Sequence, residues 1–284
     1  MDNPILLHFV SLTIFTLMFA LGVNHSFEEL ISLWRQPGLL LRSLIAVIFL
    51  VPLAAVFLLW VLNLPPAAAT GLAVLAAAPG APLTYKRSQM AGGDPTYTAS
   101  LQLTLALLAV VITPAILALF SSLFELVIGG VALFQVARQV AQVTFLPVMI
   151  GLSLQQFAPR LAEVVRQPAR RLADILFIVL LLMLVLLLSL APQFRAMLQV
   201  GWLPLLAILL MAAFALIIGH LLGGPDRGRR SALATACLAR NIGLALFLAE
   251  LCNYGQQFIP TILAYMICGG LLGVPYALWS KRQL

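Results

Sequence analysis

Ala78-Pro79-Gly80-Ala81-Pro82-Leu83-Thr84-Tyr85-Lys86-Arg87 interrupts an apolar run that starts at Pro65-Pro66-Ala67. Proline has no amide hydrogen and clashes with the preceding helical turn. Two prolines around one glycine leave two outcomes for this segment: a kinked helix, or a helix that unwinds near Gly80. Unwound backbone is tolerated at membrane depth only where it is buried in protein or lines a cavity.

The rest of the chain places this segment in lipid. The 284 residues are 63% hydrophobic and 9% charged, with a mean hydropathy of +1.09. Soluble domains carry about 25% charged residues. The net charge of +7 would suggest nucleic acid in a soluble protein. Here the cations lie between apolar runs, which favours a membrane and excludes a nucleic-acid partner. The expected fold class is therefore an all-α polytopic membrane protein, forming one transmembrane domain over residues 1–284. Runs of this length without two-residue alternation exclude an outer-membrane barrel. Cys237, Cys252 and Cys268 form no C-x-x-C pair and read as small core residues. Met1-Asp2-Asn3-Pro4 lacks a basic leader, so the first apolar run reads as a span rather than a cleaved signal.

Nine segments reach the required length of about 20 residues: 4–23, 38–62, 66–91, 97–120, 131–157, 170–192, 200–222, 230–252 and 258–280. Lys and Arg bias sets their direction. With the N-terminus outside, inward connections hold Arg35 and Arg42, then Lys86 and Arg87, then Arg160, Arg166, Arg170 and Arg171, then Arg227, Arg229 and Arg230. The cytoplasmic tail adds Lys281 and Arg282, and the opposite connections hold Arg195. This is the positive-inside pattern of a bacterial inner membrane or a plasma membrane.

The eighth span contains the second interruption, Leu238-Ala239-Arg240-Asn241-Ile242-Gly243. Arg240 lies about 16 Å deep at 1.5 Å per residue, near the bilayer midplane. A charge there costs at least about 2.5 kcal/mol unless an anion, carbonyls or water compensate it. Glu125, Asp174 and Glu250 lie near span ends. That leaves a substrate anion or backbone carbonyls as partners for Arg240. The two interrupted spans are each third in their half, 4–120 and 170–280, with 131–157 as the linking helix. Interrupted helices in corresponding places of an inverted repeat point to a transport site at the midplane. Gln135, Arg138, Gln139 and Gln142 recur at helical spacing on the fifth span. They read either as a cavity lining or as interhelical hydrogen-bonding glue.

Three motifs resemble the bile acid:sodium symporter family. Leu17-Met18-Phe19-Ala20-Leu21-Gly22 resembles its second-helix signature. Ala78-Pro79-Gly80, followed by Tyr85, Gly93 and Asp94, resembles its first crossover. Arg240-Asn241-Ile242-Gly243-Leu244-Ala245 is similar to the Gln-Asn-Ser-Gly-Leu-Ala stretch of its second crossover. The resemblance runs from about residue 15 to the end. It implies a panel domain, a core domain and two unwound helices that cross in the core. It also implies ten spans, of which the first is expected to be missing here, leaving nine.

Where the family binds sodium, this chain departs from it. The positions of a Glu, two Gln and an Asn are Ala236, Arg240, Val47 and Tyr85. Thr84, Thr98, Gln102 and Asn241 remain as oxygen donors. A guanidinium beside them repels a cation, so sodium coupling is not expected, and no other cofactor or metal is implied. The expected function is alternating-access transport of a small organic anion. Its site would be formed by Arg240, Asn241, Gly80, Ala81, Thr84, Tyr85 and Lys86, with Gln135, Arg138, Gln139 and Gln142 opposite. A sodium symporter with rearranged ligands and a non-transporting membrane sensor are the alternatives. The sequence carries no constellation for an enzyme: no H-E-x-x-H, no Ser/His pair and no paired intramembrane carboxylates.

Overall fold

A computed structural model describes residues 4–124, 126, 133–190, 201–251 and 257–283. All regular elements among these residues are helical. Six helices are long and apolar enough to cross a membrane, or seven if His8–Asn24 and Phe27–Trp34, bent by 83°, are one span. Glu125, Arg195 and Cys252 lie outside the described residues, as does the side chain of Glu250. Cys237 and Cys268 are buried.

Helix α1 (Pro4–Asn24) turns sharply into α2 (Phe27–Trp34), which starts at a capping box. Ser26 Oγ accepts from Glu29 N–H and the Glu29 carboxylate accepts from Ser26 N–H. Both donors are orphans of a helix start, so the pair fixes where α2 begins. The Ser100 hydroxyl accepts from Leu33 N–H and donates to the Leu30 carbonyl, which ties α2 to the long helix that carries Ser100. Helix α3 (Pro37–Val61) contains a π turn at Ile45–Leu50. Helix α4 (Pro66–Ala76) and short α5 (Thr84–Met90) flank the first interruption. Helix α6 (Pro95–Leu123) starts at Asp94, whose carboxylate accepts from Tyr97 N–H.

Helix α7 (Phe134–Phe157) is followed directly by α8 (Pro159–Leu190). Helices α9 (Trp202–Leu222), α10 (Arg227–Leu238), α11 (Ile242–Leu251) and α12 (Ile259–Lys281) complete the chain. Helices α1, α7 and α8 pack on one another. Helices α3 to α6 and α9 to α12 form the larger group, and α11 meets α1.

Helix α8 corrects the expected span 170–192. The helix begins at Pro159, so the basic segment holding Arg160 and Arg166 is helical rather than a connecting loop. Ala162, Ala169 and Ala173 explain this. They share a helical face and are buried against Leu17, Ala20 and Val23 of α1. Small residues at that spacing let two helices approach closely, while Arg160 and Arg171 take the opposite face.

The tightest contact joins α1 to α7. A Cβ on Gly22 would stand 2.3 Å from the Val148 carbonyl oxygen, and one on Gly151 would stand 2.5 Å from Val23 N. The neighbours are backbone, so no rotamer change relieves the overlap. The Gly269, Gly270 and Gly273 cluster behaves differently. Gly273 closes on Leu238, whereas Gly270 faces open space. Gly22→Ala is expected to cost about 1–3 kcal/mol, and Gly270→Ala to cost nothing or to stabilise by up to about 1 kcal/mol. Thermal unfolding of the two purified variants checks this pair, and equal melting temperatures would contradict the packing described.

Candidate functional site: two broken helices and the cavities beside them

The sequence places both breaks where the structure shows them. Helix α4 ends at Ala76, and the chain is non-helical until Thr84. Gly80 lies in the left-handed region with φ of +77°, where a side chain is strained. Helix α10 ends at Leu238 and α11 starts at Ile242. The breaks meet: Asn241 N–H donates to the Ala78 carbonyl at 2.9 Å. The Asn241 side-chain oxygen accepts from Leu244 N–H at 3.0 Å and so caps α11. One residue thereby closes the start of a half-helix and joins the two interruptions.

Arg240 is 2% exposed. Both terminal nitrogens of its guanidinium face the Val47 carbonyl at 3.4 Å, and one also faces the Ala76 carbonyl at 3.5 Å. The Tyr265 hydroxyl, beside the guanidinium, donates to the Leu238 carbonyl at 2.9 Å. Both carbonyl partners follow from the sequence. Ala76 ends α4, so its carbonyl is an orphan acceptor. In the π turn of α3, Val51 N–H reaches back to Ala46. The donor that would serve Val47 in that pattern is residue 52, a proline without an amide hydrogen. Val47 therefore keeps a free carbonyl, and Arg240 occupies it. Of the two partners the sequence left for Arg240, backbone carbonyls are present here.

Thr84 Oγ1 and both side-chain atoms of Gln102 are buried with no hydrogen-bonding partner among the described residues, as is Asn241 Nδ2. Thr98 is occupied: its hydroxyl donates to the Asp94 carbonyl at 2.6 Å and accepts from Ser88 Oγ at 2.8 Å.

Two neighbouring cavities lie between α1 and α8 on one side and the breaks on the other. The inner one, about 60 Å³, is bounded by Ile14, Leu17, Phe177, Leu180, Arg240 and Asn241, with Ala81 and Pro82 on the first break. The wider one, about 270 Å³, shares Leu17, Pro82 and Leu83 with it, and is lined by Asn24, His25, Tyr85, Lys86, Arg166, Arg170 and Asp174. Lys86 Nζ donates to Asp174 Oδ1 at 2.5 Å. Asp174, near a span end, thereby bridges α8 to α5. Tyr85 stacks edge-on against His25.

Gln135, Arg138 and Gln142 are exposed and Gln139 is half-buried. None of the four lines either cavity. Helical spacing put them on one face, but it could not tell which face α7 turns toward α1. By charge Arg166 and Arg170 fall in a connection, yet both line the wider cavity. Their spacing of four, with Asp174 four further on, was the available signal.

His25 lies between α1 and α2. Burial lowers its pKa below the usual 6.5; the Arg166 charge lowers it further, and Glu29, accepting from Nδ1–H at 3.1 Å, opposes both. A depressed imidazole pKa means that the folded state holds the neutral ring. Its contribution to stability is full above pH 6.5 and is lost as pH falls through the lower folded value. Wild-type protein is therefore expected to lose more thermal stability than His25→Asn between about pH 7 and pH 5. Parallel melting curves for the two proteins across that range would contradict it.

The sequence model of the sodium bile acid symporter family matches residues 11–202. That match contains the first break, both cavity-lining faces of α1 and α8, and the Lys86–Asp174 pair; it stops before Arg240. A curated relative from Bacillus subtilis (strain 168), described as the uncharacterized sodium-dependent transporter YocS, is 25% identical over 279 residues, covering 96% of this chain and 84% of that protein. This chain belongs to the sodium bile acid symporter family, a family of membrane transporters.

Proposed function

We propose that the protein is a secondary transporter that moves a small organic anion by alternating access, without sodium coupling. The observation that carries this reading is the Arg240 guanidinium, held on the Val47 and Ala76 carbonyls where the two breaks meet. Unwound half-helices present carbonyl ends that a bound cation would otherwise neutralise. A permanent cation on the same carbonyls does that work without an ion being loaded. It also gives the cavity beside the breaks a positive potential, which selects for anions.

In this reading the chain crosses a bacterial inner membrane or a plasma membrane nine times, with its N-terminus outside and its C-terminus in the cytoplasm. The count follows if the broken α4–α5 pair and α8 each make one crossing beside the seven apolar spans. Helices α1, α7 and α8 act as the panel. The larger group, with its crossing half-helices, acts as the core that rocks against it. Residues 4–120 and 170–280 then form the two inverted halves. Arg240, Asn241, Gly80, Ala81, Thr84 and Tyr85 form the core side of the substrate path.

A sodium-coupled symporter with rearranged ligands is the second reading. The unpartnered Thr84 Oγ1 and Gln102 side chain favour it, as does the sodium-dependent description of the relative. Uptake of a panel of labelled organic anions into proteoliposomes separates the two. Equal uptake with sodium or choline outside, at equal ionic strength, is expected. Uptake that collapses in choline would establish the symporter instead.

A further inference from the structure

Arg240 is a poor direct partner for a substrate anion. It is 2% exposed, its terminal nitrogens face carbonyls, and the recess beside it is narrow and bounded mainly by apolar side chains such as Ile14, Phe177 and Leu180. Moving a carboxylate into such a lining strips its water without returning enough hydrogen bonds. The wider cavity has the opposite character. Arg166 and Arg170 stand one helical turn apart on α8 and both line it. Among the described residues neither is paired with a carboxylate: Lys86 holds Asp174, and the Glu29 carboxylate accepts from His25 Nδ1–H. Arg166 Nε is buried without a hydrogen-bonding partner. Three cations thus surround one carboxylate, and that carboxylate is held by Lys86.

We propose that the anionic group of the substrate binds at Arg166 and Arg170, while its apolar body extends inward along Leu17, Pro82 and Leu83 toward the breaks. The substrate is then a small amphiphilic anion, a carboxylate or sulfonate on a compact hydrocarbon body, oriented with its charge away from Arg240. Planar guanidinium groups match the paired oxygens of such head groups. Asp174 sets the strength of the site, because it occupies Lys86, which would otherwise add a third donor.

This placement rests on the anion-transport reading and can fail separately from it. Calorimetry on the full chain in nanodiscs of zwitterionic lipid, where no lipid head group supplies a net anion, would compare cyclohexanecarboxylate and benzenesulfonate with their uncharged amides. Wild type is expected to bind the anions more tightly than the amides. Arg166→Gln and Arg170→Gln should each weaken anion binding about tenfold, as loss of one charge-assisted hydrogen bond implies, and leave amide binding unchanged. Asp174→Asn, which frees Lys86, should tighten anion binding. Unchanged anion affinity in both arginine variants, or an equal loss for amides and anions, overturns the placement. If those variants bind as wild type does and wild type still carries the anion into proteoliposomes, the transport reading stands alone. A wild-type protein that neither binds nor carries any anionic probe ends both.

Discussion

Backbone amides and carbonyls in hydrocarbon have no water to turn to, and that constraint organises this protein. An intact helix satisfies its own groups. Two helices broken at mid-span cannot, because each new end leaves orphan carbonyls or amides. Here the orphans are served by one another and by Arg240. Asn241 N–H takes the Ala78 carbonyl, the Asn241 side chain caps α11, and the guanidinium takes Ala76 together with Val47. Each contact at 3.4–3.5 Å is long for a hydrogen bond. Their value comes from a full charge facing carbonyl dipoles in a low-dielectric interior.

Two kinds of positive charge differ in how the structure compensates them. Arg240 is deep, buried and partnered by backbone, so it acts as part of the scaffold and as a source of potential. Arg166 and Arg170 on α8 face the wider cavity and have no carboxylate partner among the described residues. In the proposed reading an anion entering that cavity meets these cations first and the apolar recess after them. The Lys86–Asp174 bridge spans the same cavity from α5 to α8. Any relative motion of the two helix groups must therefore stretch or break it.

Much of this was legible in the sequence because proline and buried charge act locally. Pro79, Gly80 and Pro82 announce the first break, and the depth of Arg240 requires the second to be compensated. Other features were not legible because they depend on which face a helix turns to its neighbour. The carbonyl of Val47 is free only because a π turn precedes Pro52, and no periodicity announces that turn. The Gln135, Arg138, Gln139 and Gln142 stripe has correct spacing and yet lines neither cavity. The basic segment 158–170 reads as a loop by charge, but Ala162 and Ala169 make it a helix by packing on α1. Gly22 closes a motif whose packing role the sequence does not announce, and Gly151 is inconspicuous; both become decisive where α1 meets α7 backbone to backbone.

If, as proposed, the resident guanidinium holds the breaks together in place of a bound ion, the protein carries a direct thermodynamic signature of it. An ion that binds only the folded protein raises its melting temperature in proportion to the logarithm of concentration over affinity. The decisive measurement is the melting temperature of the purified protein in sodium chloride and in choline chloride at matched ionic strength, for wild type and for Arg240→Gln. Wild type should melt at the same temperature in both salts, and Arg240→Gln should melt lower because Val47 and Ala76 lose their partner. A sodium-specific rise in the wild-type melting temperature would contradict the account.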